Sequence, residues 1–184
     1  MVEMKKLGVI GNPIKHSLSP EIHTIFAREH GIDISYTKIE STIDSFNKDV
    51  EEFFQNDGIG LNITLPFKEM AYNLSDEPDD YSRKSESCNT LSKKNGNLQS
   101  FSTDGLGFLK DLSNNKIDLE NISILILGAG GSAKSIIKVL DDLKLSSTQL
   151  SIYNRTESKV EEILDKYKSS KNIMKFDDKL KSSK

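Results

Sequence analysis

The chain has 184 residues, 35 % of them hydrophobic and 29 % charged, enough for one domain or two small ones. Its net charge of −3 gives no reason to expect nucleic acid or an anionic membrane as a partner, and no apolar run approaches the roughly 20 residues of a membrane span. The single cysteine, Cys88, excludes an internal disulfide framework, and the N-terminus is too poor in apolar residues for a signal peptide, so the cytoplasm is the expected location.

Leu7-Gly8-Val9-Ile10 reads as a short buried strand ended by Gly11-Asn12-Pro13. Ser19 is the expected N-cap of a helix, with Pro20 at its first position and Ile22, Ile25 and Phe26 on one face, stopping near Gly31. Ser35 to Ile39 reads as a strand, and Ile43 to Phe54 as an amphipathic helix with Phe46, Val50, Phe53 and Phe54 on one stripe. Ile59 to Thr64 is a strand, broken by Pro66. This alternation predicts an α/β layer with parallel neighbours. Glu69 to Leu74 reads as a short helix and Ser75 to Tyr81 as an acidic loop. Asn95-Gly96 between Asn89-Thr90-Leu91 and Leu98 to Phe101 predicts a hairpin, which makes the sheet mixed. Asp104 to Leu112 reads as a connecting helix, and the polar stretch 113–121 as a seam before a second domain.

Ile122 to Leu127 is the best strand in the chain. Ser132 to Leu143 follows as a helix with Ile136, Ile137, Val139, Leu140 and Leu143 inside, then a strand, Leu150 to Tyr153, and a helix, Glu157 to Tyr167. After Lys168 the chain turns polar and lysine-rich. In Gly128-Ala129-Gly130-Gly131-Ser132-Ala133, residues Gly128, Gly130 and Ala133 occupy the three positions of a dinucleotide-binding turn. The first permits a tight turn, the second lets backbone approach a pyrophosphate, and the third lets helix and strand pack. The next strand ends in Asn154-Arg155-Thr156, with no carboxylate before Glu157. An acid there would select the ribose 2′-hydroxyl of NAD, whereas Arg155 suits a 2′-phosphate, with Asn154 and Thr156 adding neutral hydrogen bonds. The expected cofactor is NADP.

Asn62-Ile63-Thr64-Leu65-Pro66-Phe67-Lys68 and Ser102-Thr103-Asp104-Gly105 are short polar segments. They offer a lysine and an aspartate suited to proton transfer. Spacing alone favours an ordinary surface lysine and a helix N-cap. His16, His23 and His30 share no spacing with a carboxylate or cysteine that would make a metal set, so no metal is expected. Cys88 has no evident base beside it and reads as packing.

These segments resemble the shikimate dehydrogenase family. Gly11 to Pro20, with His23, is similar to the family's opening motif, and Asn62 to Lys68 to its lysine motif. Asn89-Thr90 and Thr103-Asp104-Gly105 match further motifs, and Gly128 to Ala133 and Asn154-Arg155-Thr156 match the NADP motifs. The matches keep the family's order from residue 7 to about residue 168. The resemblance implies NADP-linked interconversion of 3-dehydroshikimate and shikimate in aromatic amino-acid biosynthesis. It implies that Ser17, Ser19, Thr64, Lys68, Asn89 and Asp104 bind substrate, and that Lys68 and Asp104 are the catalytic pair. Short hydroxyl and amide side chains suit a ligand with a carboxylate and several hydroxyls, because each buried polar group must be paired. A carboxylate neighbour favours charged lysine and burial the neutral form, so the protonation state of Lys68 stays open.

The expected organisation is a mixed-sheet α/β substrate domain over residues 1–112, the seam, and an incomplete Rossmann-type domain over 122–184. Family members run on for roughly another 80 to 100 residues, more than half a small domain. Low stability or self-association, a homodimer included, is therefore expected of the chain in isolation. Ser87-Cys88 and Ser102 replace residues more usual in the family, and Lys134 replaces a common arginine. Two alternatives stay open: a quinate/shikimate enzyme of broader specificity, and a non-catalytic fragment that only binds substrate.

Overall fold

A computed structural model describes residues 4–170 and 172–176. The chain divides into two compact units between Thr103 and Asp104. The first holds β1 (Lys5–Gly11), α1 (Ser19–Glu29), β2 (Ile34–Glu40), α2 (Phe46–Gln55), β3 (Gly58–Ile63), α3 (Lys68–Leu74), β4 (Glu77–Pro78), α4 (Asp80–Ser85), β5 (Thr90–Lys94) and β6 (Asn97–Phe101). Its six-stranded sheet has the order β2-β1-β3-β5-β6-β4. Strand β1 runs parallel to β2 and β3, and the hairpin strands join antiparallel, so the sheet is mixed as expected. The hairpin turn has Asn95 and Gly96 at φ 52° and 88°, the left-handed pair that suits the twist of the strands.

The core of this unit lies between the sheet and α2. Phe46, Val50 and Phe54 are buried together with Ile10, Leu61, Ile63 and Leu91, and Phe53 packs against them. Phe46 stacks on Phe67 with ring centroids 4.7 Å apart, which anchors the chain just ahead of Lys68. Helix α2 starts later than its apolar pattern implies. The hydroxyls of Thr42 and Ser45 accept from each other's backbone N–H (3.2 and 3.1 Å), holding a turn ahead of Phe46.

Other expectations fail for tertiary reasons. Leu18, not Ser19, occupies the N-cap position of α1 and its side chain caps nothing; the Ser19 N–H donates instead to the Ser17 hydroxyl at 3.3 Å. Helix α1 buries Ala27 and leaves Ile22, Ile25 and Phe26 exposed. The acidic loop contains β4 and leads into α4, whose N-cap Asp79 accepts from the Ser82 N–H at 2.7 Å.

The second unit holds α5 (Asp104–Asn114), β7 (Ser123–Leu127), α6 (Gly131–Asp142), β8 (Gln149–Tyr153), α7 (Glu157–Lys166) and β9 (Ile173–Lys175). Its strands are all parallel in the order β7-β8-β9, a Rossmann-like arrangement. The core gathers Ile137, Leu140, Ile152, Val160 and Ile163, whereas Leu143 is exposed beyond the end of α6. Strand β9 falls in the lysine-rich stretch read as polar. Among the described residues no helix is long and apolar enough to cross a membrane.

Candidate active site

In the first unit, parallel strands β1 and β3 deliver their following loops to the same end of the sheet, where α/β sheets place ligands. The loops are joined by backbone. Asn12 N–H donates to the Leu65 carbonyl (2.9 Å), and Thr64 N–H to the Ile10 carbonyl (3.0 Å). The Asn12 side-chain amide reaches the Ser41 carbonyl beyond β2 at 2.8 Å. Ser17 lies in a turn closed on Ile14 (3.1 Å), and its hydroxyl donates to that of Ser19 at 3.1 Å.

Lys68 opens α3 and is partly buried; its carbonyl accepts from the Cys88 N–H at 3.0 Å. That bond brings the chain ahead of Asn89 against the lysine segment. Asn89 is then held on both sides, its carbonyl accepting from Ile63 N–H (2.8 Å) and its own N–H donating to Phe101 (3.0 Å). Its carboxamide closes a ring with Thr103: Nδ2 donates to Oγ1 at 2.8 Å, and the Thr103 N–H donates to Oδ1 at 3.1 Å. The segments carrying Thr64, Lys68 and Asn89 are thus bonded to one another, and Ser17 to Ser19. Neighbouring Cys88 belongs to the core, and burial pushes its thiol up to about 12, so it packs as a neutral thiol.

In the second unit Asp104 is the first residue of α5, and its carboxylate accepts from the Ser132 hydroxyl at 3.0 Å. Gly105 follows because α5 and α6 touch there. Its N–H donates to the Ser135 hydroxyl (3.1 Å), and a Cβ at this position would stand 2.4 Å from the Ser135 carbonyl oxygen. Asp104 is therefore fixed beside the glycine turn by a contact only glycine permits.

The turn itself leaves β7 with Gly128 at φ 121°, a conformation that L side chains rarely adopt. Gly128 N–H donates to the Tyr153 carbonyl at 2.7 Å, which brings the end of β8, and with it Asn154-Arg155-Thr156, to the glycine turn. Gly130 is the N-cap of the 12-residue α6, and a Cβ built on it would meet nothing within 4 Å. Open space over bare backbone at a long helix N-terminus fits a pyrophosphate. Arg155 is exposed, and Asn154 bonds the Thr156 carbonyl at 2.9 Å.

Sequence reading missed Lys175, on β9. Its ammonium pairs with the Glu157 carboxylate at 2.9 Å, so the first acid after Arg155 carries a cation of its own. Only the position of β9 beside β8 could have revealed this. Among the described residues no group of His, Cys, Asp and Glu could hold a metal ion.

Residues 9–91 match the family model described as the shikimate dehydrogenase substrate binding domain, and residues 111–183 the model described as shikimate / quinate 5-dehydrogenase. A NADP(+) shikimate dehydrogenase of Shewanella halifaxensis is 42 % identical over 166 residues, covering 90 % of this chain and 59 % of the relative. A shikimate dehydrogenase structure from Aquifex aeolicus superposes with a TM-score of 0.86 at 30 % identity, covering 98 % of this chain and 66 % of that one. One from Thermus thermophilus, in complex with NADP(H) and shikimate, superposes with a TM-score of 0.80 at 28 % identity, covering 90 % and 61 %. The chain spans 59 % to 63 % of the length of the first curated relatives it matches. Over the stretch it spans, the chain belongs to the shikimate dehydrogenase family.

Proposed function

We propose that this chain serves the NADP-dependent, reversible reduction of 3-dehydroshikimate to shikimate in the cytoplasm. The observation that carries the reading is the bonded cluster of the Thr64–Lys68 and Asn89 segments at the end of the first sheet, beside the loop bearing Ser17 and Ser19. Residues 1–112 bind substrate and carry the catalytic lysine, 113–121 form a seam, and 122–184 bind the dinucleotide. This division of labour differs from the division into compact units, because α5 carries Asp104.

Ser17 and Ser19 receive the substrate carboxylate, while Thr64, Asn89 and Asp104 pair with its hydroxyls. Such groups suit a polyhydroxylated acid because each can donate or accept without bringing an apolar surface. Lys68 donates a proton to the ketone oxygen as negative charge develops there, and in the reverse direction it accepts the hydroxyl proton. By the family resemblance Asp104 is the second member of the catalytic pair.

NADP would be held by the backbone of Gly128, Ala129, Gly130 and Gly131, with Ser132 and Ala133 in the first turn of α6. Asn154, Arg155 and Thr156 would take the 2′-phosphate. When bound as NADPH it supplies the hydride for the carbonyl carbon. The Lys175–Glu157 ion pair keeps an uncompensated carboxylate away from that phosphate. The edge of β7, unpaired among the described residues, supports self-association of the chain, a homodimer included.

The test is NADPH formation by the 184-residue chain with NADP and shikimate, beside Lys68→Ala and with quinate as a second substrate. Loss of activity by at least a hundredfold in Lys68→Ala is expected for removal of a general acid. Equal activity of the folded variant would refute the role of Lys68.

A further inference from the structure

Tyr36, on β2, lies outside every motif segment, yet its side chain reaches into them across a strand. In the sheet register Leu7 faces Tyr36 and Val9 faces Asn62, so Tyr36 and Asn62 share one face on either side of β1. The Tyr36 hydroxyl crosses β1 to donate to Asn62 Oδ1 at 2.6 Å. The ring is held in place by His23 of α1, which stacks on it at 4.6 Å and 26° while its Nδ1 meets the Ser19 carbonyl at 2.8 Å.

The polarity of the hydrogen bonds running from this phenol is fixed by groups that have no choice. Thr103 N–H can only donate, so the atom of Asn89 facing it at 3.1 Å is the oxygen. Thr90 Oγ1 lies 3.3 Å from that same oxygen and must donate to it. Thr90 therefore accepts from Asn62 Nδ2, at 3.2 Å. Asn62 Nδ2 also faces the Asn89 carbonyl oxygen at 3.5 Å, an atom that only accepts. The Asn62 oxygen is then turned to Tyr36, which has to be the donor. Burial pushes the phenol up to about 12 against the opposing hydrogen bond from Ser19, so the hydroxyl keeps its proton throughout the neutral range.

We propose that Tyr36 is a positioning residue of the substrate site: acting through Asn62 and Thr90, it holds the Asn89 carboxamide so that its nitrogen end meets substrate as a donor. The inference rests on the proposed role of Asn89 in binding substrate. A ligand oxygen at Asn89 is then selected as an acceptor, and a donor-only group is rejected. Without the phenol hydroxyl, Asn62 Oδ1 loses its donor and the amide gains a reason to turn, which takes from Thr90 the donor that keeps its own hydroxyl proton aimed at Asn89 Oδ1.

The test is shikimate affinity, by calorimetry, for the full chain, Tyr36→Phe, Asn89→Ala and the double variant. Tyr36→Phe should weaken binding about five- to tenfold in the parent and by less than twofold once Asn89 is alanine, because the phenol acts through that residue. An equal loss in both backgrounds, or no loss in the first, overturns the inference. Exchange of the Asn62 side-chain NH2 protons, read by NMR without ligand, decides wherever binding is too weak to titrate. Faster exchange in Tyr36→Phe than in the parent supports the relay, and equal exchange overturns it. A folded parent that binds no shikimate at all defeats the proposed function, while the Asn62 protons still judge the relay.

Discussion

Strands β1 and β7 each lead into one of the loops that carry the site, yet the more apolar of the two, β7, is the less buried. Val9 and Ile10 of β1 are 2 % and 0 % exposed; Leu125 and Leu127 of β7 are 44 % and 74 % exposed. Strand β1 lies between β2 and β3, and α2 packs Phe46, Val50 and Phe54 into the core that holds Ile10. Among the described residues strand β7 pairs with β8 alone. Apolar β-formers make a segment extended, but its neighbours decide whether it is dry. The two units therefore rest on cores of different kinds. One surrounds its central strand, and the other leans on α6, α7 and β8 while its edge strand meets solvent.

Truncating the first core should have the largest effect. Phe46 is fully buried and stacked on Phe67, so Phe46→Ala removes both area and an aromatic contact. A loss of about 3–5 kcal/mol is expected, read as a lower urea midpoint by circular dichroism. Because Phe67 directly precedes Lys68, the variant should also lose shikimate affinity. A shift under about 1 kcal/mol would mean that the enclosed sheet is not the stability-determining element we take it to be.

The matching perturbation in the second unit is Gly105→Ala. The new Cβ would stand 2.4 Å from the Ser135 carbonyl, which is backbone and cannot swing aside, so α5 and α6 must separate. Overpacking of this kind costs about 1–3 kcal/mol. Hydrogen exchange should quicken in α5 and α6 while β1 and β3 keep their protection. Equal acceleration in both units would make the two cores one cooperative body and end the contrast between them.

The limits of sequence reading follow the same divide between local and tertiary causes. The hairpin, the glycine turn and the loops after β1 and β3 were legible because Asn-Gly, Gly128 and the Pro-broken strands act through their own backbone. Strand β4 was not. It is Glu77–Pro78 alone, paired with Gln99 and Ser100, and the Glu77 carboxylate accepts from the side chains of Asn97 and Gln99. Those bonds hold its carboxyl below the usual range, and no window around residue 77 contains them. Strand β9 was hidden likewise, since Ile173-Met174-Lys175 gains its meaning only from β8. In the site, the segments around Lys68 and Asn89 could be read. The Tyr36–Asn62 bond could not, because it spans 26 positions and a whole strand.

Cys88 offers a smaller effect and a probe of the first core alone. Its thiol is fully buried and held at about 12 from an ordinary 9.0, chiefly by burial. Between those values the unfolded chain has lost the proton and the folded chain has kept it. The thiol's contribution to stability is therefore full below about pH 9 and fades as pH rises toward 12. Cys88→Ala should cost about 1 kcal/mol at pH 7, from the small cavity it leaves. That penalty should shrink at pH 10. A constant penalty would mean that the thiol titrates normally and is reached by solvent. Alkylation of Cys88 should track opening of the first unit and ignore Gly105→Ala.

The smallest effect sharpens the comparison most. Leu127 is 74 % exposed at the end of β7, so Leu127→Ser should change stability by no more than about 0.5 kcal/mol. Val9→Ser, on a strand of the first core and 2 % exposed, should cost several times that, because it removes buried apolar surface and leaves a small cavity. If Leu127→Ser instead costs as much as Val9→Ser, the side chain is covered in solution by a surface outside the fold described. Sedimentation then identifies the cover. Stability that rises with protein concentration in the parent, a dependence that vanishes in Leu127→Ser, assigns it to a second copy seated on the edge of β7, since only self-association makes stability depend on concentration.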